Sequence, residues 1–376
     1  MDGANLSVWV EPYYAKTPWY RELLAGLKSG LDAKRQKANI SIIEEPDENV
    51  PSDTMLILAG ETNQWFYRML NFSYKRSIRV CVASSDPEFT ANDVSSVSLD
   101  RQKDMSTMVQ YLFDTKHCDI ALFGINPSSP ADQKRSLGYL QTVKLLGLPL
   151  SESDIYYTSG DVSICAKSLL ENIGQYDAII SSNDLYAIYL LPYLCNKNIS
   201  VPKEVYLASF GNTMLSRISK PSITSATLNH TELGRQAILL SLYMCSNPHI
   251  SNMTVTIDGS FYSRQSTDEI PFSASSKPFH SALACNNITS YNDPHLSQIV
   301  KLEMFLAEGD KLNLSIMKWL ISDRSLPELA DHLFLSRSAI DYRLNKLYHH
   351  FSVSNRQELS SLMKSYMNFI DFSLIN

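Results

Sequence analysis

The chain is 376 residues long, 44% hydrophobic and 19% charged, with a net charge of −6. That length implies more than one domain, that composition a globular chain able to bury a full core, and the acidic balance excludes a basic nucleic-acid coat. No apolar run approaches the roughly 20 residues of a membrane-spanning helix, and the six cysteines show neither CxxC pairing nor zinc spacing.

Buried reduced thiols are therefore the expectation. The opening MDGANLSVWVEPYY has no basic segment and no long apolar stretch. No secretory signal is read there, and the expected location is cytoplasmic. Strands are predicted at Leu6–Val10, Ile40–Glu44, Met55–Ala59, Arg79–Ala83, Ile120–Gly124, Ala178–Ser181 and Val205–Phe210. Helices are predicted between them at Trp19–Asp32, Gln64–Leu70, Met105–Phe113, Lys134–Leu146 and Leu185–Cys195, and after them at Leu233–Cys245. Short apolar strands alternating with amphipathic helices imply an α/β body with parallel sheets covered on both faces. Ligands in such sheets bind beyond the carboxyl ends of the strands. The loops to watch are Pro12–Trp19, Ser84–Pro87, Asn126–Arg135, Ser182–Asp184 and Gly211–Leu215.

The run AIISSNDLYAIYLLPYLCNKNISVPKEVYLASFGNT, followed by PSITSATLNHTELGRQA, resembles the ligand-binding core of the LacI/GalR family. Pro18-Trp19-Tyr20, Lys116-His117, Arg135-Ser136-Leu137-Gly138-Tyr139 and Ser263-Arg264-Gln265-Ser266-Thr267 fall in the same order as that family's other motifs. The resemblance covers residues 5–267. It implies a two-lobed, periplasmic-binding-protein-like (type I) sensor over 1–267, closing on a small molecule. The lobes are expected at about 1–124 plus 226–252 and about 125–225 plus 253–267.

By the same resemblance, Arg135 and Asn183 stand at effector-contacting positions. The planar five-donor fork of Arg135 suits hydroxyls or a carboxylate, and Trp19 offers a ring for stacking. The structural alternatives are a surface ion pair for Arg135 and a core aromatic for Trp19. Gly211 and Asn212 stand where sugar-binding relatives often place an Asp acceptor, and Leu228 where they have a polar residue. A sugar, a sugar acid, a nucleoside or no diffusible ligand therefore remain open.

Residues 268–310 begin with a Ser-, Pro- and Asn-rich linker. A helix follows over Asp293–Gly309, with Asp293 as cap, Pro294 at its first position and Gly309 at its stop. Packing onto the sensor body, pairing of subunits and carrying the ligand signal are all open to it.

Residues 311–376 carry eight Lys/Arg against six Asp/Glu, a mild positive excess on an acidic body. Ser325 with Glu328 reads as a capping box, and Ser336 as the cap of a second helix after a Phe334-Leu335 turn. Ile340, Leu344, Leu347 and Phe351 form one buried stripe. The opposite face presents Arg337, Ser338, Asp341, Tyr342, Asn345, Lys346 and His349. Ser354 with Gln357 is predicted to open a third helix. This is a small all-α helix-turn-helix arrangement.

Glu328-Leu329-Ala330, Leu333, Ser336, Ala339-Ile340, Leu347, Val353 and Arg356-Gln357-Glu358-Leu359 resemble the DNA-binding domain of the LuxR family. Ala339, Asp341 and Arg343 depart from its pattern, so no sequence preference is carried over. The resemblance implies base contacts by Asp341, Tyr342 and Asn345. Phosphate contacts are expected from Ser336, Ser338, Arg343, Lys346 and Arg356.

There is no GxxxxGK[ST] loop, no GxSxG elbow and no HExxH. No catalytic residue, cofactor or metal is expected. The expected partners are double-stranded DNA, a small effector such as a sugar derivative, and a second copy of the chain. The alternatives are a solute-binding protein and a DNA-binding regulator whose body is a dimerisation scaffold.

Overall fold

Two six-stranded sheets organise the body of the chain. The computed structural model describes residues 5–83, 94–149, 151–158, 160–270, 293–322, 326–367 and 369–371. The first lobe opens with β1 (Leu6–Val10), α1 (Pro18–Lys34), β2 (Ala38–Ile42), β3 (Met55–Ala59), α2 (Asn63–Lys75), β4 (Arg79–Ala83) and β5 (Ser95–Leu99). The chain then crosses over to α3 (Arg101–Asp114), β6 (Ile120–Ile125), α4 (Pro130–Leu146), β7 (Ile155–Tyr157) and α5 (Val162–Glu171). The second lobe continues with β8 (Ala178–Ser181), α6 (Asp184–Asn196), β9 (Tyr206–Gly211), α7 (Met214–Ile218) and β10 (Thr224–Thr227). A second crossover returns the chain to α8 (His230–Ser246) and β11 (Thr254–Ile257) in the first lobe, and a third leads to β12 (Phe261–Tyr262) in the second.

The strand orders are β2-β1-β3-β4-β5-β11 and β7-β6-β8-β9-β10-β12. The pairings are parallel except for β10 with β12. β1 and β3 are buried along their whole length. That is why LSVWV, Ser7 apart, and MLILA are apolar without alternation: helices cover both faces.

The lobe boundaries differ from those expected. β6 belongs to the second sheet, where it pairs with β8, and α3 before it packs on α4. β11 belongs to the first sheet, where Val255 faces Val97 of β5. The serine-rich β5, SSVSL, is the last strand before the first crossover, and its polar composition hides it from a hydrophobicity pattern. β2 lies two residues earlier than predicted, because Ala38–Ile42 pair in register with Leu6–Val10. Three thiols also depart from expectation. Cys81 and Cys165 are buried, but Cys118 is half-buried and Cys195 and Cys245 are exposed.

After the body come α9 (Pro294–Glu308), α10 (Lys311–Ile321), α11 (Leu326–Leu333), α12 (Arg337–Phe351) and α13 (Arg356–Tyr366). Asp293 caps α9 by accepting from the Leu296 N–H at 2.9 Å, and Gly309 ends it at a φ of 63°. Ser336 caps α12 through the Ala339 N–H at 3.2 Å. Ser325 lies outside the described residues. The α13 cap is Asn355, one residue beyond the predicted Ser354: its side chain accepts from the Glu358 N–H at 2.9 Å, and Glu358 accepts from the Ser354 N–H at 2.7 Å. A carboxylate suits the positive end of the helix better than the Gln357 amide does.

The C-terminal helices are not set apart from the body. α9 packs on α6 and α7. One hydrophobic cluster runs from Leu185 and Leu215 of the second lobe through Ile299, Phe305 and Leu306 of α9 to Ile340, Leu344, Leu347 and Phe351 of α12.

Candidate functional site

The carboxyl ends of β1, β3, β6 and β8 meet the start of α8 in a cleft between the lobes. Tyr14, Trp19, Glu61, Arg101, Asp132, Arg135, Asn183 and His230 are among its walls. Its free space is about 60 Å³, against at least about 300 Å³ for pockets that enclose drug-sized ligands. The lobes must part to admit a sugar-sized molecule.

Local sequence explains how each wall is held. After β1, Tyr14 sits in a short 3-10 turn, and Thr17 donates its hydroxyl to the Tyr14 carbonyl at 2.7 Å. Pro18 then starts α1, which fixes Trp19 at the cleft edge. Trp19 stacks on His230 with ring centroids 5.6 Å apart and an interplanar angle of 15°. The His230 Nδ1 lies 3.2 Å from the Tyr14 hydroxyl. Burial, reinforced by the charges of Arg101 and Arg135, holds the His230 pKa well below its ordinary value, so the ring is neutral. Glu11, at the end of β1, accepts from the N–H groups of Glu61 at 2.7 Å and Thr62 at 3.1 Å, and so fixes the next loop.

On the second lobe, Ser129 caps α4 and Asp132 lies in its first turn. Asp132 accepts from the Asn126 N–H at 3.0 Å and from Arg135 Nη1 at 2.7 Å. Arg135 also lies over the Phe210 ring, 5.1 Å from its centroid. Asn183 caps α6, its side-chain oxygen accepting from the Tyr186 N–H at 3.0 Å. Burial, with Asp132 and Glu11 nearby, raises the Glu61 carboxyl to about 7. Glu61 Oε2, Arg135 Nε and His230 Nε2 are buried without a hydrogen-bond partner. An acceptor, a donor and an amphoteric ring nitrogen together suit a ligand that both gives and takes hydrogen bonds, as a hydroxyl-rich molecule does.

The structure thus brings Trp19, Arg135 and Asn183 together. Arg135 is not a surface residue, since its ion pair with Asp132 is buried. Gly211 and Asn212 are placed differently from the expectation. Gly211, at a φ of +130°, lies under the Trp19 ring, where a Cβ would come within 2.8 Å of it. Asn212 lies off the cleft lining and is occupied internally. Its side-chain oxygen accepts from Arg264, and its carbonyl from Arg217 Nε at 3.0 Å and Nη2 at 2.8 Å. Asp184 beside Asn183 is wholly enclosed, accepting from Ser209, from Ser225 at 2.7 Å, and from the Thr213 N–H and hydroxyl at 2.7 and 3.0 Å. Of the five loops read as candidates, Ser84–Pro87 lies outside the described residues.

Sequence reasoning missed Tyr14, Glu61, Asp132 and His230. Tyr14 and Asp132 lie in loops marked for attention and His230 in a quoted motif, but none was singled out; Glu61 left no local signal.

A second polar surface lies on α12. Ser336, Arg337, Ser338, Asp341, Tyr342, Asn345, Lys346 and His349 are exposed, and the predicted stripe of Ile340, Leu344, Leu347 and Phe351 is buried beneath them. Lys346 lies over the Tyr342 ring, 4.8 Å from its centroid. Arg343 is turned inward: its Nη1 donates at 2.9 Å to both Asp310 and Asn313 at the start of α10, which takes it out of the set facing solvent. Arg356 is half-buried at the start of α13. Among the described residues no three metal-ligating side chains converge.

A family model described as a periplasmic binding protein-like domain matches residues 109–267. The chain is 26% identical over 269 residues to catabolite control protein A of Priestia megaterium, covering 66% of this chain and 78% of that protein. It is 24% identical over 184 residues to the HTH-type transcriptional repressor CytR of Escherichia coli K12, covering 48% of this chain and 53% of the repressor, about half its length. Among solved structures, a transcriptional regulator CelR–cellobiose complex superposes with a TM-score of 0.62 at 16% identity, over 71% of this chain and 86% of that one. The regulator CcpA of Lactococcus lactis superposes with a TM-score of 0.58 at 16% identity, over 70% and 100%. The body therefore has the two-sheet periplasmic-binding-protein-like fold, and these relatives are transcription regulators rather than enzymes.

Proposed function

We propose that the chain is an effector-responsive transcription regulator. A sugar or related hydroxyl-rich metabolite enters the cleft, and α10–α13 form a LuxR-type helix-turn-helix domain that binds double-stranded DNA. The observation that carries the reading is the pairing of two sites on one chain. One is a cleft with unpartnered buried donors and acceptors. The other is a helix with one apolar face packed on the neighbouring C-terminal helices and one polar face exposed for a groove. Arg135, Asn183 and Trp19 bind the effector in this reading, with Glu61 and His230 supplying further polar contacts. Asp341, Tyr342 and Asn345 read base edges. Ser336, Arg337, Ser338, Lys346 and Arg356 hold phosphates. One short recognition helix gives little affinity, so the active form is a homodimer on a two-fold site.

The test is duplex binding by Asn345→Ala and Lys346→Ala. Asn345→Ala relaxes sequence choice, by about 1–3 kcal/mol at one position. Lys346→Ala weakens all duplexes alike and lowers the salt slope by about one. Unchanged binding in both variants sinks the assignment of α12 as the recognition helix. The narrowness of the cleft favours a second reading, in which the body is a dimerisation scaffold without a ligand. A metabolite panel that fails to raise the melting temperature supports that reading, since a bound ligand stabilises by mass action.

A further inference from the structure

The C-terminal helices grip α7 at both ends. At its start, Glu303 of α9 accepts from the backbone N–H groups of Met214 at 3.0 Å and Leu215 at 2.8 Å. Beyond its end, the segment after α13 forms a short antiparallel bridge with the loop that follows α7. The Lys220 N–H donates to the Phe369 carbonyl at 2.8 Å and the Asp371 N–H to the Ile218 carbonyl at 2.6 Å. The side chains of Lys220 and Asp371 pair at 3.1 Å.

The residue before α7 is Thr213, whose N–H and hydroxyl both donate to Asp184. Asp184 adjoins Asn183 on the cleft wall. The opposite side of α9 holds the end of α12. Gln298 Nε2 donates to the Phe351 carbonyl at 3.1 Å, Lys301 Nζ to the Ser352 hydroxyl at 2.8 Å, and His350 Nε2 lies 2.8 Å from the Lys301 carbonyl. The rings of Phe305 and Phe351 meet edge-on at 5.5 Å. α9 also touches α1 of the first lobe. Glu303 is 5% exposed, in a place where an apolar side chain would pack without a desolvation cost. What the carboxylate adds is direction: two hydrogen bonds fix α9 to one turn of α7.

We propose that α7 and Glu303 form the relay through which a change at the cleft reaches α12. A shift of the Thr213–Asp184 contact moves α7, Glu303 carries that movement into α9, and α9 moves the end of α12. This rests on the reading of the cleft as input and α12 as output, but the relay can be tested without effector or DNA.

Thr213→Val perturbs α7 from the cleft side, and the readout is backbone amide exchange across the full chain. Exchange is expected to rise by about threefold or more at 347–353 as well as at 213–219. In a Glu303→Gln background the distant rise falls to less than half. Gln298→Ala combined with Lys301→Ala, which removes both side-chain hydrogen bonds from α9 to the end of α12 and leaves Glu303 in place, gives the same suppression and decides the matter if Glu303→Gln does not fold. An effect confined to 211–219, or a distant rise of equal size in every background, overturns the relay. Failure to bind DNA or any effector, measured separately, sinks the functional reading and leaves the exchange result standing.

Discussion

Arg135 and Asp132 form a buried ion pair at 2.7 Å, and each constrains the other. Burial raises the Asp132 carboxyl, and Arg135 opposes that rise. Arg135→Met therefore leaves an enclosed acid without its partner. We expect a loss of about 3–5 kcal/mol in urea unfolding, part of it recovered by adding Asp132→Asn. A loss below about 1 kcal/mol would place the pair effectively in water. Gly211 is constrained by its backbone and by Trp19 together. Gly211→Ala should cost about 1–3 kcal/mol and shift the tryptophan emission, because the Trp19 ring must move. An unchanged spectrum would mean the ring is not seated there. Glu303 gives a pH signature. Burial lifts its carboxyl from 4.5 to about 7, the Leu215 and Met214 N–H groups opposing. The folded state then holds the proton more tightly than the unfolded state. Stability linked to this group is complete below about pH 4.5 and is lost as pH rises through about 7. Thermal melts of wild type and Glu303→Gln should draw apart between about pH 4.5 and about pH 7 and stay apart above it, with the variant retaining what the wild type loses. Parallel curves across that range would contradict the buried carboxylate.

Elements were legible where apolar pattern and capping agree. α9 was readable from Asp293, Pro294 and Gly309, and the α12 stripe from Ile340, Leu344, Leu347 and Phe351. Ser336→Ala should cost about 1 kcal/mol, seen as faster amide exchange in the first turn of α12, and no change there would remove Ser336 as the cap. Other elements were hidden for physical reasons. β5 (SSVSL), β10 (TSAT) and β11 (TVTI) are polar strands next to crossovers, so the lobe boundaries could not be placed. The cleft was legible only in part. Trp19, Arg135 and Asn183 stand at recognisable motif positions, whereas nothing local marks Tyr14, Glu61 and His230 as neighbours: they come from three separate segments and meet only after folding. Arg343 was misplaced because its partners, Asp310 and Asn313, lie 33 and 30 residues away in the chain.

At the scale of the molecule, the lobes are joined by three crossovers, and the C-terminal helices share a core with the second lobe. Closure of the lobes and presentation of α12 are therefore expected to change together. An effector shifts that equilibrium only by its difference in affinity between the two states. The most direct measurement is the affinity of the full chain for a duplex bearing its selected site, titrated across a panel of sugars and related metabolites. At least one compound is expected to change DNA affinity by about fivefold or more, and Arg135→Ala to abolish the change. DNA affinity indifferent to every compound, with none of them bound, would contradict this expectation.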